Sequence, residues 1–189
     1  RSTLFPYTTL FRSRYIEYIM TVPGIFELNE TGMIVETNQT LGERLIDLET
    51  RGELRTEDIQ AALHQIFTNV RLKHLVEVRG ADRPPQGYEM APVAFWTGAL
   101  TSETVRDEIL SVVKNWSVEE RHQFNKAALV LDDTQKGPQG KSYREWNQWA
   151  GNFALVGLKE RGWREEKFFE EFFETVMKNG PFDLQTQAK

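Results

Sequence analysis

The sequence predicts an α+β fold. Part of an antiparallel sheet, a hairpin plus one strand, packs with four to five helices, and the C-terminal half is all helical. Three observations carry this expectation. Apolar and polar residues alternate from Val70 to Arg79. Beyond Pro92 the apolar residues recur at spacings of three and four. Two capping boxes, Ser117 to Glu120 and Ser142 to Glu145, open helices in that second half.

Val22–Leu28 and Met33–Glu36 are short apolar-rich runs, and Asn29 to Gly32 between them reads as a hairpin loop. Leu41, Leu45 and Leu48 place a short helix before Gly52. Thr56 is the expected N-cap of a second helix, with Glu57 and Asp58 in its first turn, where acids suit the helix dipole. Ile59, Leu63, Ile66 and Phe67 form the apolar face of that helix, which is expected to end near Phe67. From Val70 the period becomes two. Val70, Leu72, His74, Val76 and Val78 point one way; Arg71, Lys73, Leu75, Glu77 and Arg79 point the other. Gly80 and Pro84-Pro85 stop this strand.

An apolar aromatic segment runs from Pro92 to Leu100. Thr101 or Ser102 then caps a helix whose face is Val105, Ile109, Val112, Val113 and Trp116. The Ser117 box opens a helix to about Leu131, and a loop from Asp132 to Lys141 precedes the Ser142 box. The helix after that box carries Trp146, Trp149, Phe153 and Val156 and ends at Gly162. The last helix is expected from about Arg164 to Asn179, with Phe168, Phe169, Phe172 and Phe173 as core, and Gly180-Pro181 stops it.

Composition excludes several classes. The chain has 189 residues, 28 acids against 23 Lys plus Arg, and no Cys. Without Cys there is no disulfide scaffold, thiolate zinc site or cysteine nucleophile. No apolar run approaches the ~20 residues of a membrane span. A net charge of −5 gives no global attraction to nucleic acid or to an anionic membrane. The expected location is the cytoplasm.

Residues 1–13 are set apart. Thr3 to Ser13 resembles the in-frame translation of a common sequencing-adapter oligonucleotide, and the first Met is Met20. Read as protein, this stretch would form a short edge strand or loop. Setting it aside leaves 21 cations against 28 acids, a net charge of −7. The expected division is thus an artefact over 1–13, a catalytic-domain portion over 14–182 and a frayed tail over 183–189, with more protein upstream.

Chemistry concentrates between Arg71 and Asp82. Arg71, Lys73, Glu77 and Arg79 share one face of the expected strand, about 6–7 Å apart at successive same-face positions. An Arg fork matches carboxylate or phosphate oxygens, and Lys supplies a mobile point charge. Glu77 among them can orient Arg79, bind Mg²⁺ or accept from a substrate ammonium. The plainer reading of the same alternation is a solvated outer sheet face. His64 and His74 are expected as partly buried imidazoles and His122 as exposed; no His pair has metal-ligand spacing. Trp146 is expected in a core.

Three ordered blocks carry a family resemblance: Val70-Arg71-Leu72-Lys73, then Glu77-Val78-Arg79-Gly80-Ala81-Asp82, then Ala94-Phe95-Trp96-Thr97-Gly98-Ala99-Leu100. They resemble glutamate–cysteine ligases of the plant and proteobacterial type, in the same order and spacing. Arg14-Tyr15-Ile16-Glu17-Tyr18 with Val22-Pro23 is similar to the stretch preceding that family's central hairpin. The resemblance runs from about Arg14 to Lys178. It implies an ATP-dependent, glutamine-synthetase-like ligase, with glutamate, cysteine and ATP as substrates and Mg²⁺ as cofactor. Its positions match Arg71, Lys73, Glu77 and Arg79 as substrate- and ATP-binding residues. Arg79 suits a substrate carboxylate or phosphate, Lys73 suits phosphate, and Glu77 orients Arg79. The resemblance also implies that most metal-binding carboxylates lie upstream, so the chain alone is expected to be inactive.

There are departures. Arg83-Pro84-Pro85-Gln86 replaces a Gly-Gly-Pro-Trp-like turn, Phe67-Thr68-Asn69 replaces Phe-Pro-Glu, and Gly24-Ile25 stands where Met and an aromatic are usual. They leave open a ligase that joins glutamate to another amine. From a different class, the alternative is a non-catalytic helical interaction module using the Phe stripe and the Trp helix.

Overall fold

A computed structural model describes residues 5–29, 31 and 33–187, divided into one compact unit up to Ala81 and a second from Asp82. The α+β class holds. The first unit opens with α1 (Phe5–Thr21), so the described part of the stretch set apart is helical rather than strand or loop. Residues 1–4 lie outside the described ones. Strands β1 (Glu27–Leu28) and β2 (Ile34–Val35) pair antiparallel, Leu28 opposite Ile34. In the expected turn, Asn29 Oδ1 accepts from the Thr31 and Met33 amides; Glu30 and Gly32 lie outside the described residues.

Two helices follow, α2 (Leu41–Thr50) and α3 (Thr56–His64). Thr40 caps α2 reciprocally with Glu43. For α3 the N-cap is Arg55 rather than Thr56, because the Asp58 carboxylate reaches back to the Arg55 amide at 3.0 Å. Ile19, Leu41, Ala62 and Ile66 form this unit's core, with Tyr15, Leu45 and Leu63 packed around them. The helix stops at His64, so Phe67 leaves the core and is 68% exposed.

The largest correction is in the segment from Val70 to Arg79. It is not one strand but a second hairpin, β3 (Val70–Leu72) and β4 (Val76–Val78), closed by Lys73–Leu75. The expected hairpin plus one strand is therefore two separate two-stranded sheets.

The second unit is helical: α4 (Ala91–Thr101), α5 (Glu103–Val113), α6 (Val118–Ala127), α7 (Tyr143–Arg161), α8 (Glu170–Asn179) and α9 (Phe182–Gln187). The described residues thus hold nine α-helices rather than four or five. Ser102 caps α5, and both expected capping boxes close, at Ser117 and Ser142. Gly162 ends α7 with φ +71, a left-handed cap that suits glycine. The expected last helix is broken: residues 165–168 form a 3₁₀ turn entered through Arg164 at φ +59. Residues 182–187 are helical where fraying was expected, and 188–189 lie outside the described residues.

Helices α4 and α7 form this unit's spine. Ala91, Ala94, Ala154, Leu158 and Phe169 are buried together, and Phe172 and Phe173 pack on them. Phe168 turns out and is 44% exposed. Small residues set the helix spacing: a Cβ on Gly98 would collide with the Ala154 carbonyl oxygen, and one on Gly157 with that of Gly98. Trp146 is buried, as expected, and donates to the Pro138 carbonyl at 3.1 Å. It meets Trp116 and Trp149 edge-on at 4.9 and 5.3 Å.

Gly157→Ala should therefore cost about 1–3 kcal/mol by overpacking a backbone-to-backbone contact. The measurement is the urea midpoint by circular dichroism; an unchanged midpoint would contradict this close packing.

Candidate functional site

The β3–β4 turn decides what the charged face becomes. Along a single strand, Arg71 and Glu77 would lie about 20 Å apart. In the hairpin they are directly opposed Cα partners. Cross-strand partners on one face are neighbours, so their side chains meet. Arg71 Nε donates to Glu77 Oε2 at 2.9 Å and Nη2 to Oε1 at 3.2 Å. This is a two-pronged Arg–carboxylate contact.

Arg71 is also anchored from behind. It is only 9% exposed, and its Nη1 donates to the His64 carbonyl at 2.8 Å and to that of Ile66 at 3.5 Å. The first belongs to the last residue of α3 and the second lies just past its cap, at a helix C-terminus where a cation is favoured. All three guanidinium nitrogens thus meet protein acceptors.

Lys73 and Arg79 complete the cluster. Lys73 Nζ lies 3.0 Å from Glu77 Oε2, and Arg79 Nη1 lies 4.0 Å from Oε1. The Arg79 guanidinium sits over the exposed Phe67 ring at 5.1 Å, a cation–π contact. Among the described residues no hydrogen bond engages that guanidinium. The structure therefore brings all four sequence-selected residues together, with Glu77 at the hub. Three cations around one carboxylate leave the cluster at net +2. Hydrogen bonds from Lys73 and then Arg71 hold the Glu77 carboxyl below its ordinary value of 4.5, so it stays anionic.

Two cavities lie in the first unit. Lys73 lines the smaller, about 390 Å³, among Tyr15, Ile16, Leu63, Leu72 and Val76. The larger, about 1050 Å³, is walled by Phe26, Glu27, Arg44, Leu48 and Gln65 and their neighbours. Its arginines face acids: Arg44 meets Glu27 at 3.1 Å, Arg51 meets Asp47 at 2.9 Å and Arg55 meets Asp58 at 3.2 Å. That wall sets three arginines against Glu27, Glu53, Glu57 and Asp58, whereas the hairpin cluster has an excess of cations.

Other expectations move. His64 and His74 are exposed rather than partly buried, because α3 ends at His64 and His74 sits in the β3–β4 turn. His122 is exposed, as expected. Among the described residues no group of three His, Asp or Glu is placed to hold a metal ion. Sequence reasoning missed Phe67, Tyr15 and Gln65. Tyr15 Oη accepts from the Leu72 amide at 3.2 Å. Phe67 was legible only as part of a helix face, and nothing in its local pattern marks it as a partner for Arg79.

A model of glutamate–cysteine ligase family 2 (GCS2) matches residues 8–171. The chain is 31% identical over 162 residues to glutamate–cysteine ligase A, chloroplastic, of Oryza sativa subsp. indica, covering 84% of this chain and 32% of the relative. It is 30% identical over 166 residues to glutamate–cysteine ligase, chloroplastic, of Medicago truncatula, and 29% over 166 to that of Arabidopsis thaliana. In both, 86% of this chain and 32% of the relative are covered. The chain thus spans about a third of the length of these relatives.

Because the Glu77 carboxyl is depressed in the folded state, its contacts stabilise the fold above the ordinary carboxylate range, and that contribution fades as pH falls through the lowered value. The wild type should therefore exceed Glu77→Gln in urea midpoint at pH 7, and the gap should close below about pH 4. A gap that does not change with pH would mean that the Glu77 charge is not what the cations bind.

Proposed function

The chain belongs to glutamate–cysteine ligase family 2, and from that premise we propose that it is a portion of an ATP-dependent ligase joining the glutamate γ-carboxylate to the amine of cysteine. The observation that carries this reading is the convergence of Arg71, Lys73 and Arg79 on Glu77 at one hairpin. In the proposed reaction a γ-carboxylate oxygen attacks the terminal phosphorus of ATP. An O–P bond forms, the bond to ADP breaks, and γ-glutamyl phosphate results. The amine then attacks the acyl carbon, a C–N bond forms, phosphate departs and the amine loses a proton. Charge on the transferring oxygens is the main electrostatic demand, and preorganised cations meet it.

The roles follow from donor availability. Arg79 rests against Phe67 and has no hydrogen-bond partner on its guanidinium among the described residues, so it takes a carboxylate or phosphate fork. Lys73, facing the 390 Å³ cavity, supplies the point charge for a phosphate. Arg71 is committed to α3 and Glu77 and sets the geometry of the others. Glu77 keeps the cations from scattering. This donor set fits anions and does not fit Mg²⁺: the Glu77 oxygens already accept from Arg71 and Lys73, and Mg²⁺ prefers open carboxylates and phosphates. The chain alone is proposed to be inactive, the metal carboxylates being supplied elsewhere in the full-length protein.

The test uses a full-length protein carrying this chain, assayed for glutamate-dependent ADP release with cysteine and other amines. Arg79→Ala should lower kcat/KM by about 10²–10³-fold, the usual loss of one preorganised donor. Its thermal midpoint should stay near wild type, because Arg79 anchors nothing buried. Wild-type turnover in Arg79→Ala would end the assignment. Turnover with a different amine alone would move it to another glutamate–amine ligase.

A further inference from the structure

One buried polar side chain in the first unit is used by none of the roles above. Gln65 follows α3 as its C-cap residue and is 5% exposed. Its Oε1 accepts two backbone amides from the segment before β1, Ile25 N at 2.7 Å and Phe26 N at 3.2 Å. Its Nε2 donates to the Ala61 carbonyl at 3.4 Å, and its own amide donates to the Ala62 carbonyl at 3.0 Å. The carbonyls on either side of it, His64 and Ile66, are the two that accept from Arg71 Nη1. The peptide units around Gln65 are therefore gripped from both directions: the Gly24–Phe26 wall of the 1050 Å³ cavity on one side, the hairpin guanidinium on the other.

We propose that Gln65 is a positioning residue that aims the His64 and Ile66 carbonyls at Arg71, and through Arg71 holds Glu77, Lys73 and Arg79 as one preorganised anion site. The functional part of this inference rests on the ligase reading; the coupling itself does not. The side chain can do this because it ties the end of α3 to the Ile25 and Phe26 amides, which lie far from it in sequence. Shortening it leaves two part-buried amides without this partner, and the α3 end then relaxes to satisfy them. That relaxation turns the carbonyls that Arg71 needs.

The experiment is hydrogen exchange by ¹⁵N NMR on the 189-residue chain, following the Ile25 and Phe26 amides, the Arg71 Nε–H and, as reference, the Ala154 and Leu158 amides of the second unit. Gln65→Asn withdraws the carboxamide by one methylene. It should speed exchange at Ile25, Phe26 and Arg71 Nε together, by about tenfold or more, while the reference amides stay unchanged, as for a local opening. Gln65→Glu keeps an acceptor at full reach and should restore all three. Faster exchange at Ile25 and Phe26 with an unchanged Arg71 Nε would make Gln65 a local staple only, and the proposal falls. It also falls if the reference amides accelerate equally or if Gln65→Glu fails to restore Arg71. No ligand enters this measurement, so a failure of the full-length enzyme to turn over would sink the ligase reading and leave the coupling result standing.

Discussion

A buried guanidinium cannot stand alone, and most of the first unit's design follows from that constraint. Arg71 is nearly withdrawn from water, and an unpaired charge there would be strongly unfavourable. It needs acceptors on several sides at once. The last residue of α3, His64, and Ile66 just past its cap supply two carbonyls, and Glu77 supplies two oxygens. Each solution fixes a piece of architecture. The helix must stop at His64 so that its last carbonyls are open, and the chain must reverse between Leu72 and Val76 so that Glu77 lies opposite. Lys73 and Arg79 then inherit their positions from a pair already satisfied.

How much of this was legible in the sequence depends on what period-two alternation can and cannot report. The partners Val70 and Val78, Arg71 and Glu77, Leu72 and Val76 are separated by eight, six and four residues. Even separations preserve the alternation through the turn. Arg71, Lys73, Glu77 and Arg79 therefore share a face whether the segment is one strand or two. The face was readable and the turn was not. Lys73, His74 and Leu75 include no Gly, Pro, Asn or Asp, the residues that ordinarily announce a reversal. Tertiary demand from Arg71 stands in for turn propensity.

The helical half shows the opposite balance. Its starts were readable because a capping box is a local interaction, complete within four residues, and those at Ser117 and Ser142 both close. Its interruption was not. Residues 164–179 present a continuous apolar pattern, yet Arg164 takes a left-handed conformation and a 3₁₀ turn precedes α8. The break rotates the stripe so that Phe169 is buried and Phe168 exposed. A helix wheel assumes one continuous axis and cannot divide a Phe-Phe pair between core and solvent. Gly98 and Gly157 carry a related message: their lack of a side chain is read only once two backbones are seen in contact.

Net charge and local charge also separate. The chain carries −5 overall, which argues against any general affinity for anions. At the hairpin, three cations share one carboxylate within salt-bridge range. Charges are screened over about 8 Å in physiological salt, so an anion at the proposed site would respond to that cluster far more than to the chain's net charge. Partial withdrawal from water strengthens the same contacts. Glu77 lowers the local excess without abolishing it, and in return it prevents three like charges from repelling one another apart. Removing Glu77 would thus raise the local positive charge and still weaken a site of this kind. What the proposed anionic reactant would require is cations held in register, and the Glu77 carboxylate is what pairs with all three.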